Sequence, residues 1–380
     1  MTTALAGCGE SATPQATAYW SGSSVRSSVL ELRGQVVRAE PALAAWTSQL
    51  PAGTRATRMV YRSASGEGGA GTQVSGAVFI PPGDRPSGGW PLLAYAHGTT
   101  GITRDCGPSD HDSMFGDLNA VRNFVTAGYA VVTTDYQGLG VRPEESAPHP
   151  YLEPRTAAYN VIDAVRAARS IEPTVAAQWV GVGMSQGGGA VWSTAETSAD
   201  SASGADGLLG VVAVSPLLDA RYLVSGAAEG SLTPAQRFLY PLVVAGVRSV
   251  DVDSLLHGSA RAAASQDCSG GTTALIAQRT ASAASDLVPS SSAASKLTSV
   301  LGSFALPRQR AEVPILAIYG SEDDVIPESV MEQTLAHGCA LADDLQRVRR
   351  DGQGHTLDPG PVMAEWVRDR FAGRPTNPDC

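Results

Sequence analysis

Short apolar runs punctuate this chain at regular intervals, and stretches of helical periodicity separate them. Residues 91–96 and 128–134 are such runs, with the helical stretch 119–126 between them. Runs of this length bounded by turn residues read as strands buried on both faces. The rhythm continues through a helix at 156–170, a strand at 178–184, a helix at 187–197 and a strand at 208–215. Alternation of this kind predicts an α/β fold, a mainly parallel central sheet with helices on both faces. Upstream, 55–63 and 72–80 are strand-like and are joined by the Gly-rich stretch 65–71, which signals a hairpin closed off by Pro81-Pro82-Gly83. Residues 28–49 read as helical in parts, with an interruption at Pro41.

The rhythm stops near Pro216. Residues 216–306 hold helical stretches, a Ser/Ala-rich tract at 280–295 and no clear strand. It resumes at Pro314 with a strand at 315–319, a helix at 328–337, a short strand at 345–349 and a helix at 362–371. A separate second domain is one reading of the middle. The return to the same rhythm favours the other: a core of residues 23–215 and 307–380, interrupted by a mainly helical cap at 216–306. Residues 1–22 are small and polar without periodicity, and read as a flexible leader.

Composition narrows the class. With 43% hydrophobic and 17% charged residues among 380, the chain reads as a globular protein. The net charge of −10 and the lack of a basic stripe exclude a nucleic-acid binder and argue against electrostatic docking to anionic membranes. No run of 18 apolar residues offers a membrane-spanning helix. Leu5-Ala6-Gly7-Cys8 resembles the lipobox of bacterial lipoproteins, in which the cysteine becomes lipidated. The expectation is therefore a secreted or envelope-anchored protein with Cys8 as the anchor. The other four cysteines, Cys106, Cys268, Cys339 and Cys380, are even in number and allow three pairings. In an exported protein two disulfides are the natural reading. No Cys/His cluster has metal-ligand spacing, and no cofactor motif is present, so neither metal nor cofactor is expected.

The chemistry centres on Gly183-Met184-Ser185-Gln186-Gly187. In so Gly- and Ser-rich a chain, chance nearly supplies a Gly-x-Ser-x-Gly. Here it joins a predicted buried strand to a predicted helix, the setting that lifts a serine hydroxyl clear of a sheet edge. A serine hydroxyl needs a base. Of six histidines, only His337 and His355 follow an acidic turn after Ser185; His337 ends a helix, whereas His355 sits in a Gly-rich loop, as a base should. His111, His149 and His257 lie in no matching setting. The acid should leave the C-terminal end of the 315–319 strand, where Glu322, Asp323 and Asp324 compete. Asp323 fits the Gly-x-x-Asp turn, with Asp324 its rival. Two backbone N–H donors should stabilise the developing oxyanion: one from Gln186, the other from His97-Gly98-Thr99-Thr100-Gly101, with Thr99 the choice and its hydroxyl a third donor. Asp135-Tyr136-Gln137-Gly138-Leu139-Gly140 reads as mainly structural, with Tyr136 a wall of the site.

Taken together, Ala96–Gly101 with Cys106–Ser109, Thr134–Gly140, the Ser185 pentapeptide and the Asp323–Pro327 turn resemble the secretory lipase family, in its actinobacterial branch, over roughly residues 30–380. The resemblance implies the α/β-hydrolase fold, a triad of Ser185, Asp323 and His355 under a helical cap, and the disulfides Cys106–Cys268 and Cys339–Cys380. The first of these would tie the oxyanion loop to the cap. The function expected is a lipase or esterase working through an acyl-enzyme on an ester substrate. Aromatic diesters or polyesters are the alternative substrates, with a non-catalytic binding module or a peptidase behind them.

Overall fold

The computed structural model describes residues 25–141, 146–264, 268, 282–341 and 343–380. Cys8 and the leader lie outside them. In chain order the elements begin with helix α1 (Ser27–Leu30), strand β1 (Val36–Pro41), α2 (Ala44–Gln49), β2 (Arg55–Ala64), β3 (Gly71–Ile80), β4 (Trp90–Ala96), α3 (Leu118–Thr126) and β5 (Ala130–Thr134). Then come α4 (Pro154–Ile171), β6 (Val175–Met184), α5 (Gln186–Thr197) and β7 (Leu208–Val214). The region 216–306 supplies α6 (Arg221–Glu229), α7 (Pro234–Gly246), α8 (Gly258–Ala263) and α9 (Ser291–Phe304), and no strand among its described residues. The chain closes with β8 (Ile315–Gly320), α10 (Glu328–Ala340), β9 (Leu345–Arg350) and α11 (Gly360–Phe371).

Nine strands form one sheet in the order β1-β2-β3-β5-β4-β6-β7-β8-β9. The first three pair antiparallel, as does β3 with β5; every pairing from β5 across to β9 is parallel. The central strands β4, β5, β7 and β8 are buried almost throughout, because helices cover both faces and the sequence answers with Val, Leu, Ile and Ala. Two apolar clusters follow, one on each face. Trp179, Trp192 and Ile162 belong to the first; Val180, Val212 and Trp366 belong to the second.

One expected element differs. Within the stretch read as partly helical, Val36–Pro41 is a strand, pairing with β2 at the sheet edge. Its burial alternates between half-buried and exposed positions, the signature of an edge strand with one solvated face. Pro41 ends it, as an edge position tolerates. What makes it extended is its partner, β2, rather than any strong local preference.

Helix α5, which begins directly after Ser185, is buried at every position. Its carboxyl-terminal end is pinned to the segment that follows α9. Glu196 Oε1 accepts from Trp192 Nε1 at 3.2 Å and from the Arg308 N–H at 3.0 Å, while Gln309 Nε2 donates to the Glu196 carbonyl at 2.8 Å. Burial pushes the Glu196 carboxyl up from 4.5 to about 8, so it holds its proton at neutral pH.

Candidate active site

Ser185 stands at the turn from β6 into α5 with φ 56° and ψ −116°, outside the regions a side-chain-bearing residue ordinarily occupies. The turn needs glycine on either side. A Cβ on Gly187 would lie 1.9 Å from the Ala96 carbonyl oxygen, and one on Gly183 would lie 2.1 Å from that of Gly187. The strained residue is held by its own backbone. Ser185 N–H donates to the Val214 carbonyl at 2.9 Å, and Leu217 N–H donates to the Ser185 carbonyl at 3.0 Å. Both partners leave the end of β7, the neighbouring parallel strand.

The structure brings His355 and Asp323 to Ser185. His355 Nε2 is 2.9 Å from Ser185 Oγ, and His355 Nδ1 is 2.8 Å from Asp323 Oδ2. A carboxylate can only accept, so Nδ1 carries the proton and Nε2 accepts from the serine hydroxyl. All three residues are buried, at 8%, 5% and 9% exposure for Ser185, His355 and Asp323, which keeps water from competing for these bonds. Asp323 is itself fixed. Its Oδ1 accepts from Val325 N–H and Ile326 N–H, each at 2.8 Å. The carbonyl of His355 accepts from Ser215 Oγ at 2.9 Å. Of the competing acids, Glu322 and Asp324 are exposed, and the backbone carbonyl of Asp324 accepts from Thr233 Oγ1 at 2.7 Å.

The other flank of Ser185 carries the expected oxyanion segment. A Cβ on Gly98 would sit 3.8 Å from Ser185 Cβ, so the loop after β4 passes directly against the serine. The next residue, Thr99, pairs its hydroxyl with Tyr151 Oη at 2.5 Å. Gln186 is the first residue of α5, and its side-chain Nε2 lies 2.9 Å from His149 Nε2. Tyr136 donates its hydroxyl to the His97 carbonyl at 3.0 Å, and its ring centre lies 4.4 Å from that of His97. It has φ 62° and is 2% exposed. The preceding residue, Asp135, is fully buried. It accepts from Ser75 Oγ at 2.7 Å, Ser109 N–H at 2.9 Å and Ser109 Oγ at 2.5 Å. Burial pushes its carboxyl up, and these bonds oppose that rise.

A cavity lies beside Gln186. Leu217, Leu218, Leu301, Phe304 and Leu306 give it apolar walls, and Tyr136 and His149 also line it. Ser185 and His355 do not line it; the residue directly after the serine does. Its walls come from both the core and the 216–306 region.

Both expected disulfides are formed, Cys106–Cys268 and Cys339–Cys380. The first packs on the loop after β4. A Cβ on Gly101, which has φ 141°, would come within 2.4 Å of Cys106 Sγ and 3.2 Å of Cys268 Cα. Sequence reasoning gave no role to His149 or Tyr151, both buried beside the serine's flank. The one local trace is the position of His149 between Pro148 and Pro150, which stiffen the backbone on either side.

Comparison with known proteins agrees with this architecture. Residues 114–239 match the family model described as secretory lipase. Candida antarctica lipase A in its closed state superposes with a TM-score of 0.72 at 14% identity, over 91% of this chain and 84% of that one. The rice cell wall degrading esterase LipA from Xanthomonas oryzae gives a TM-score of 0.65 at 19% identity, over 90% of this chain and 96% of that one. A search of curated protein sequences finds no significant match. Residues 114–239 thus resemble the secretory lipase family, and the fold around them is shared with these lipase and esterase structures along nine-tenths of the chain.

Proposed function

We propose that the chain is a serine-dependent carboxylic-ester hydrolase. The observation that carries the reading is the unbroken series of contacts from Ser185 Oγ through the His355 ring to Asp323. His355 Nε2 takes the hydroxyl proton as Oγ attacks the ester carbonyl. Asp323 stabilises the imidazolium that results. The tetrahedral oxyanion lies against the N–H of Gln186 and that of Thr99, in the loop that passes Ser185 at Gly98. The imidazolium then gives its proton to the leaving alcohol, and the acyl group stays on Oγ. Water, deprotonated by the same imidazole, releases the acid and restores the serine.

The apolar walls beside Gln186 favour an ester with an apolar acyl or alcohol part. In this reading residues 216–306 act as the cap, since Leu217, Leu301, Phe304 and Leu306 supply much of that wall. The secretory family and two disulfides favour an extracellular protein. Anchorage through Cys8 remains part of the proposal.

A p-nitrophenyl butyrate assay together with a fluorophosphonate probe tests the reading. Wild-type protein should turn the ester over and be labelled on Ser185. Ser185→Ala should lose both, with turnover down by about 10⁴-fold or more. Turnover retained by the folded variant would sink it. A panel of aliphatic esters beside aromatic diesters then separates the two substrate classes.

A further inference from the structure

One loop reaches both sides of the proposed oxyanion hole. His149 and Tyr151, two residues apart, are 6% and 0% exposed. His149 Nδ1 lies 2.9 Å from the Gln137 carbonyl, so Nδ1 must carry the proton there. His149 Nε2 is then an acceptor, and the amide Nε2 of Gln186 donates to it at 2.9 Å. Burial draws this imidazole down from 6.5 to about 3. It therefore stays neutral, and Nε2 stays an acceptor, at any ordinary assay pH. Tyr151 makes the matching contact on the other side, its hydroxyl 2.5 Å from Thr99 Oγ1. The loop is backed from outside. Gly246, the last residue of α7, packs so closely that a Cβ on it would lie 2.3 Å from Tyr151 Cβ and 3.1 Å from Tyr151 N.

We propose that His149 and Tyr151 are positioning residues, which hold the Gln186 and Thr99 sides of the oxyanion hole at a fixed spacing around Ser185. The inference rests on the reading of Ser185 as nucleophile and of these two backbone groups as oxyanion donors. Each contact acts on the residue whose N–H is needed, and both originate in one short segment stiffened by Pro148 and Pro150. The spacing between the two donors is thus set by the geometry of a single loop. Because α7 packs on that loop, a change in the 216–306 region has a direct route to the oxyanion hole.

Such residues should move kcat and leave KM alone, since donor alignment matters most when charge has developed on the ester oxygen. The test compares His149→Leu, His149→Gln and Tyr151→Phe with wild type, by p-nitrophenyl butyrate kinetics, by the rate of fluorophosphonate labelling at Ser185 and by thermal melting. His149→Leu keeps the volume and removes the acceptor; kcat should fall about 10²-fold, a loss of the size a misplaced group causes. Tyr151→Phe keeps the ring and removes the hydroxyl, and kcat should fall about 10-fold. KM should stay within about three-fold in both, and the labelling rate should fall in step with kcat. His149→Gln offers an amide oxygen near the lost Nε2 and should recover most of the rate. Should His149→Leu fail to fold, Tyr151→Phe carries the test, since its ring still fills the space. Wild-type kcat in folded Tyr151→Phe and His149→Leu, or a loss confined to KM or to melting temperature, overturns the proposal while leaving the nucleophile in place. Absence of labelling on Ser185 in wild-type protein overturns the underlying reading, and the proposal with it.

Discussion

The two flanks of Ser185 are built in different ways. On the His355 flank every residue leaves the end of a parallel strand or the short turn after it: Ser185 after β6, Asp323 after β8 and His355 after β9. Each is then locked by near neighbours, Asp323 by Val325 and Ile326, Ser185 by the end of β7. On the other flank, Gln186 and Thr99 are steadied by side chains from 149–151, a loop that belongs to neither strand end. The Cys106–Cys268 disulfide adds a further long-range restraint there. A flank built on strand ends inherits its accuracy from the sheet. The other also starts from strand ends, β6 for Gln186 and β4 for Thr99, but both residues are contacted in addition by the 149–151 loop, against which Gly246 of α7 packs.

The sharpest way to break this comparison is on the strand-end flank. Asp323→Asn should lower kcat about 10⁴-fold, because an amide at this place no longer enforces the tautomer that leaves Nε2 free to accept. Asp324→Asn, at an exposed neighbour, should leave kcat near wild type. Steady-state kinetics on the two variants check this, and equal losses would mean that the acid is misassigned.

A smaller effect separates the two disulfides. Removing Cys106–Cys268 or Cys339–Cys380 by paired Cys→Ser changes should each cost about 2–4 kcal/mol of stability. The first spans 162 residues and the second 41, so the first should cost more. Only the first packs on Gly101 of the proposed oxyanion loop, so only it should also lower kcat in the fraction that remains folded. Chemical denaturation paired with kinetics measures both. A kcat loss of equal size from the Cys339–Cys380 pair would erase the distinction between the flanks.

The smallest effect tests whether the far end of α5 matters to chemistry at all. Glu196 has its proton affinity raised by burial, to about 8 from 4.5. Between those values the folded state holds a proton that the unfolded chain has released, so stability should fall as pH rises through this window and level off above it. Glu196→Gln mimics the protonated form and should flatten the slope, melting closer to its acid-side temperature at pH 8.5. Its kcat should not change. Thermal melts at pH 5 and 8.5 read the outcome, and an unaltered slope in Glu196→Gln would assign it to another group.

The same division describes what could be read beforehand. The buried strands β4 to β8 were legible because a strand covered on both faces must be a continuous apolar run, and α4 and α5 because helical periodicity fills the gaps between them. The edge strand β1 was not, since half-solvated residues carry a weak pattern and only pairing with β2 makes them extended. Ser185, Asp323 and His355 were singled out because each sits in a short Gly- or acid-marked turn next to a strand. His149 and Tyr151 sit in no such turn. Asp323 was preferred to its rival Asp324 on the Gly-x-x-Asp turn alone, and the turn geometry sends Asp323 inward to His355 and leaves Asp324 exposed.

By itself, then, the sequence determined the alternation that makes the sheet, the glycines without which the Ser185 turn cannot close, and the strand ends from which the candidate triad leaves. These are local consequences of chain stereochemistry and of apolar burial. The tertiary structure brought Asp323 to His355 and Cys106 to Cys268, and it alone decided that His149 and Tyr151 contact the two residues beside Ser185. Those outcomes depend on side chains between 32 and 162 positions apart meeting in space, and no local preference encodes such a meeting.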